Sequence, residues 1–73
     1  MGKSIHTKKY TEFVKRLRSA RENSGFTQVQ VAKKLKRPQS YVSNIETGQQ
    51  RVDVIELLRF TELYGCDVSD LLE

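Results

Sequence analysis

Tryptophan is absent from this 73-residue chain, and cysteine, histidine and proline each occur only once. A single thiol, Cys66, excludes an internal disulfide and any Cys-x-x-Cys metal site, and suits a reducing compartment such as the cytoplasm. A single imidazole, His6, has no second histidine for a metal pair and no Ser/His/Asp spacing around it. The four glycines are scattered, so no glycine-rich loop can cradle a phosphate. There is no long acidic loop with a central glycine for calcium. These gaps argue against an enzyme and against any metal or cofactor. No apolar run approaches the ~20 residues of a membrane span. Met1–Lys9 has no apolar signal core, which argues against export. With 37% hydrophobic residues, the chain can build one lean domain but no deep substrate pocket.

Charge is abundant and unevenly placed. Residues 1–25 carry seven Lys/Arg (Lys3, Lys8, Lys9, Lys15, Arg16, Arg18, Arg21) against Glu12 and Glu22, a balance of +5. Residues 26–51 carry Lys33, Lys34, Lys36, Arg37 and Arg51 against Glu46, a balance of +4. Residues 52–73 reverse the sign, with Arg59 alone against six acids. A basic body with an acidic tail orients itself in the field of a polyanion. The same residues also suit an ordinary solvated surface, so charge alone leaves both readings open.

Five helices and no strand are expected. Residues 1–10 read as a flexible basic arm, and Lys3, Lys8 and Lys9 either brush phosphates or have no role. In the first helix, expected from Thr11 to Asn23, Phe13, Leu17 and Ala20 form a stripe at helical spacing. Thr11 is its expected N-cap and Gly25 its left-handed stop. Thr27 opens the second helix, with Gln30 at the capping-box distance and Val31, Ala32 and Leu35 facing inward. That helix ends near Leu35, before the turn Lys36-Arg37-Pro38. Pro38 has no N–H and disfavours helical backbone at Arg37. The third helix spans about 39–47 and stops at Gly48. Asp53 caps a fourth helix to about Tyr64, with Leu57, Phe60, Thr61 and Tyr64 as its core stripe. Gly65 ends it, and Val68, Leu71 and Leu72 make a short fifth.

The second and third helices form the informative pair. Ala32 is small enough for another helix to cross close by, and Val42 and Ile45 lie on one side of that helix and seal the crossing. The opposite side carries Ser40, Ser43, Asn44 and Thr47, with Gln39 at the exposed start. This arrangement holds one helix out as a probe, as helix-turn-helix proteins do in the DNA major groove.

The pattern extends along most of the chain. It includes Leu17-Arg18 and Arg21, then Gly25-Phe26-Thr27-Gln28, Val31-Ala32 and Leu35. It continues with Ser40-Tyr41-Val42-Ser43, Ile45-Glu46 and Gly48, then Leu57-Leu58, Gly65, Val68 and Leu71-Leu72. In this order and spacing, Leu17 to Leu72 resembles the phage-repressor-like, or XRE, family of helix-turn-helix domains. The resemblance implies an all-α, compact five-helix bundle (a lambda-repressor-like DNA-binding domain) over residues 11–73. It also implies sequence-specific binding of double-stranded DNA and transcription regulation.

Roles follow from the resemblance by position. Gln39, Ser40, Ser43 and Asn44 are the implied base-contacting residues, and Gln39 can present both a donor and an acceptor to adenine. Gln28 is implied to bond a phosphate and brace Gln39. Thr27, Arg37, Tyr41, Thr47, Gln50 and Arg51 join Gln28 as implied backbone contacts, which set register while base contacts choose sequence. Arg21 and Glu46 match a structural ion pair. Three positions depart from the family pattern. Lys36 stands where glycine is usual, and a lysine in left-handed backbone costs on the order of 1 kcal/mol. That cost points to a turn reshaped around Pro38. Val52 stands where proline is frequent. Ile55 replaces a polar residue, and with Leu72 it is a candidate dimer contact. A homodimer on an inverted repeat is expected, with half-sites about one helical turn apart. The alternative reading is a protein-interaction module, such as an antitoxin or regulatory adaptor, that uses the same fold to hold a partner protein.

Overall fold

The computed structural model describes residues 7–72. Five helices follow in order: α1 (Lys8–Asn23), α2 (Gln28–Leu35), α3 (Gln39–Glu46), α4 (Val54–Tyr64) and α5 (Val68–Leu72). No strand occurs among the described residues. The chain is the all-helical bundle its sequence implies. The pairs α2–α3, α1–α5, α1–α3 and α4–α5 pack against one another.

The first helix begins earlier than the apolar stripe suggested. Its N-cap is Thr7, whose hydroxyl accepts the Tyr10 N–H at 3.1 Å, and Thr11 lies inside the helix. Tyr10 accounts for the extension, because its ring packs on Phe13 with centroids 5.3 Å apart and adds a turn to the buried stripe. Lys8 and Lys9 are therefore helical. The rest of the expected arm, including Lys3 and His6, lies outside the described residues. Val14 joins Phe13 and Leu17 in the core, while Ala20 is only partly buried.

The core is centred on Leu17, Val31, Val42, Ile45 and Phe60, all fully buried. Each such side chain contributes about 1.5–3 kcal/mol by leaving water. Phe60 links the two ends of the bundle, with its ring 6.4 Å from Tyr41 and 6.0 Å from Tyr64. Along α4 the buried residues are Leu57, Phe60, Thr61 and Tyr64, the expected stripe.

Lys36 corrects an expectation. The turn is not reshaped: Lys36 adopts the left-handed conformation, at φ 59° and ψ 46°. Its N–H bonds to the Lys33 carbonyl at 3.1 Å, and the Arg37 N–H bonds to the Ala32 carbonyl at 2.9 Å. Those bonds close a Schellman cap, which satisfies carbonyls that the helix end leaves free. The Arg59 guanidinium donates to the Leu35 carbonyl at 3.1 Å, so a further carbonyl of that end is satisfied. The turn keeps its shape because these hydrogen bonds outweigh the backbone strain of the lysine.

Candidate nucleic-acid interface

Three of the four long helices start with a side-chain cap: Thr7, Thr27 and Asp53 each accept a backbone N–H of the first turn. At Thr27 the capping box is complete, with the Gln30 side chain returning to the Thr27 N–H at 2.9 Å. Before α3 the corresponding residue is Pro38, which supplies no side-chain acceptor. Val42 and Ile45 are fully buried, so α3 is locked in rotation about its own axis. Gln39 and Ser40 at its start are exposed, as is Thr47 just past its end. Ser43 and Asn44 are only half-buried rather than fully outward. The chain after α3 folds back on Asn44, whose carbonyl accepts the Gln49 and Gln50 N–H groups at 2.9 and 3.2 Å and the Thr47 hydroxyl at 3.2 Å.

Beneath this face lies a buried polar chain. Arg21 on α1 donates from Nε to Glu46 Oε2 at 2.7 Å and from Nη2 to Glu46 Oε1 at 3.1 Å. Its third bond, from Nη1 to the Phe26 carbonyl at 2.8 Å, ties the end of α1 to the segment entering α2. The Glu46 side chain is 2% exposed, and its hydrogen bonds raise the Arg21 guanidinium further above its ordinary value. Gln28 then donates from Nε2 to Glu46 Oε1 at 2.9 Å, and its Oε1 faces Gln39 Nε2 at 3.5 Å. An unbroken polar path thus runs from the buried pair to the exposed first residue of α3.

A second cluster ties the turn to α4. Tyr41 donates its hydroxyl proton to Glu56 at 3.1 Å, and Arg37 pairs with the same carboxylate at 3.3 Å. The Arg37 guanidinium lies 4.7 Å from the centre of the Tyr41 ring, and Arg59 reaches Glu56 at 3.4 Å. Burial, followed by the bond to Glu56, pushes the Tyr41 phenol up to about 12. Sequence reasoning did not single out Glu56. Its position three residues after Asp53 signals only the α4 cap, and nothing local marks its partners on the turn. Arg51 lies 4.4 Å from the centre of the Tyr10 ring, and the Tyr10 hydroxyl accepts the Val52 N–H at 3.3 Å. Tyr10 is thus the platform that orients Arg51.

Ile55 and Leu72 are exposed at 65% and 52%, and Val54 and Leu58 are exposed with them. An open, mostly apolar cleft of about 480 Å³ is lined by Tyr10, Phe13, Val54, Val68 and Leu72 together with Lys9 and Arg51. Cys66 is partly buried against the core, and burial raises its thiol above the ordinary value. Among the described residues, no group of three or more His, Cys, Asp or Glu side chains converges as a metal site. No helix among them is long and apolar enough to cross a membrane.

Compared with known proteins, the chain matches no curated protein and no solved structure. A family model does match, over residues 12–73, from the second turn of α1 through α5 and including the α2–turn–α3 unit. Its description is helix-turn-helix domain, a domain type that points to DNA as partner and to transcription regulation, and the chain belongs to that family.

Proposed function

We propose that the protein is a sequence-specific regulator of transcription of the phage-repressor-like kind, which inserts α3 into the major groove of duplex DNA. The observation that carries this reading is the braced start of α3. Gln39 is solvent-facing, yet it is the outer end of a hydrogen-bond path rooted in a buried ion pair. A merely solvated glutamine needs no such support, whereas a side chain that reads base edges does. In this reading Gln39, Ser40, Ser43 and Asn44 meet bases. Thr27, Arg37, Tyr41, Thr47, Gln50 and Arg51 meet the sugar-phosphate backbone, as does Gln28 through its main-chain N–H at the start of α2. Arg37 would exchange its bond to Glu56 for a phosphate. The protein acts in the cytoplasm, as a binder rather than an enzyme.

A homodimer on an inverted repeat completes the proposal. One α3 makes too few contacts for strong specificity, and Val54, Ile55 and Leu72 leave apolar surface uncovered, Val54 and Leu72 in the lining of the cleft. Sedimentation with and without DNA tests this part, and a monomer under both conditions at high micromolar concentration overturns it.

The test of DNA reading is a pair of substitutions on a site selected from random duplexes. Gln39→Ala should cost about 1–3 kcal/mol on the selected site and little on random DNA. Arg51→Ala should weaken both alike and reduce the salt slope by about one. Equal losses for Gln39→Ala on every sequence would refute base reading by α3.

A further inference from the structure

The polar path beneath α3 has a direction, and that direction has a consequence for base choice. The Glu46 carboxylate offers only acceptors. It already receives Arg21 through Nε and Nη2, and a third donor, Gln28 Nε2, reaches it at 2.9 Å. Were the Gln28 amide turned over, its carbonyl oxygen would face the carboxylate at that distance. Two acceptors would then oppose each other where the Glu46 side chain is only 2% exposed. Gln28 is therefore held with its NH2 inward and its carbonyl outward. The outward carbonyl faces Gln39 Nε2 at 3.5 Å, so Gln39 in turn presents its NH2 to Gln28.

One Gln39 N–H is thereby committed within the protein. What remains for a partner is the other N–H together with the carbonyl oxygen. Adenine shows an acceptor (N7) beside a donor (N6–H) in the major groove, whereas guanine shows two acceptors, N7 and O6. The remaining edge of Gln39 fits the first pattern and cannot satisfy the second. A path of opposite polarity would leave both Gln39 N–H groups free, and would suit guanine.

We propose that Glu46 is a specificity-determining positioning residue: acting through Gln28, it fixes which edge of Gln39 is shown and selects adenine over guanine at the base pair Gln39 meets. This rests on the reading that Gln39 reads base edges. Arg21 serves the same end by holding the carboxylate in place.

The experiment compares adenine with guanine at the one position whose discrimination Gln39→Ala abolishes, using the full chain and duplexes that differ only there. The wild type should favour adenine by roughly tenfold or more. In Arg21→Met/Glu46→Leu, where an apolar pair fills the buried site, the ratio should fall to within about threefold of unity. Gln28→Met should do the same. A merely structural role would lower affinity for all sequences together and leave that ratio unchanged. A wild-type ratio in either folded variant overturns the proposal.

A measurement without DNA stands beside it. In the wild-type protein, side-chain amide NMR should show the Gln28 NH2 hydrogen-bonded to the Glu46 carboxylate, with slowed exchange. A Gln28 NH2 that is free, or that faces Gln39, overturns the proposal even if every variant fails to fold. A wild type that binds no duplex defeats the DNA reading itself, and the amide measurement still decides the polarity of the path.

Discussion

Around α4 and α5 the chain is held by apolar surface, with Leu57, Phe60, Tyr64 and Leu71 in one continuous core. Where α1 meets α2 and α3, the fully buried Leu17, Val31 and Ile45 are joined by an ion pair, Arg21–Glu46, and the amide of Gln28. The two kinds of contact specify different things. Apolar packing fixes where an element lies, but it is non-directional and tolerates repacking. A buried hydrogen-bond chain fixes which way each donor and acceptor points, because any reversal leaves a polar group unsatisfied. The directional contacts lie under the exposed start of α3 and at the turn before it, where Glu56 holds Arg37 and Tyr41, and the apolar core they border continues through α4 and α5. Orientation of side chains is thus enforced at the candidate interface, while the apolar stripe of α4 and α5 fixes position.

Truncation on either side should give the largest effects, with different repair behaviour. Phe60→Ala should lose about 3–5 kcal/mol by opening a cavity in the centre of the core. Glu46→Ala should lose a similar amount, about 3–5 kcal/mol, because Arg21 is left charged and buried without its partner. Replacing both partners, as in Arg21→Met/Glu46→Leu, should restore stability to near the wild type, since burying the pair costs as much solvation as its attraction returns. Urea denaturation followed by circular dichroism measures all three. If the double variant is as unstable as Glu46→Ala, the pair is a source of stability as well as of orientation, and the contrast between the two regions fails.

Lys36 lies in the turn between α2 and α3, and the expected effect there is smaller. Lys36→Gly should stabilise by about 1 kcal/mol, because glycine enters left-handed backbone without the Cβ penalty, less its greater freedom when unfolded. No change in the denaturation midpoint would mean that the Schellman bonds and Arg59 absorb the strain completely.

How far the sequence discloses this arrangement depends on the range of each contact. The α2 capping box is written in Thr27 and Gln30, and the α4 core stripe in Leu57, Phe60, Thr61 and Tyr64, because those interactions close within one or two turns. Ala32, Val42 and Ile45 likewise place the crossing of α2 and α3. The true start of α1 was hidden by Tyr10, whose polar hydroxyl masks a ring that packs on Phe13. The contact of Arg37 and Tyr41 with Glu56 joins positions far apart in the chain and depends on the angle between α3 and α4, which no local spacing encodes. The half-burial of Ser43 and Asn44 depends in the same way on the path of the loop after α3. The left-handed Lys36 shows the opposite limit, a residue preference overruled by the bonds of its neighbours.

The smallest effects distinguish two tyrosines that sit on either side of the same comparison. Tyr41 gives its hydroxyl proton to Glu56, whereas the Tyr64 hydroxyl is buried with no hydrogen-bond partner among the described residues. Tyr41→Phe should therefore cost about 0.5–1 kcal/mol at neutral pH, and Tyr64→Phe should be neutral or slightly stabilising. Both phenols are raised above their ordinary value, chiefly by burial, Tyr41 to about 12. A phenol that holds its proton more tightly in the folded state contributes stability that is fully present below about pH 10. That stability is lost as pH rises through the folded value. Stability should accordingly fall between about pH 10 and about 12, and each Phe variant should flatten that fall. A Tyr64→Phe protein that loses stability at neutral pH would show that this hydroxyl has found a partner, and that the apolar region also contains a directional contact.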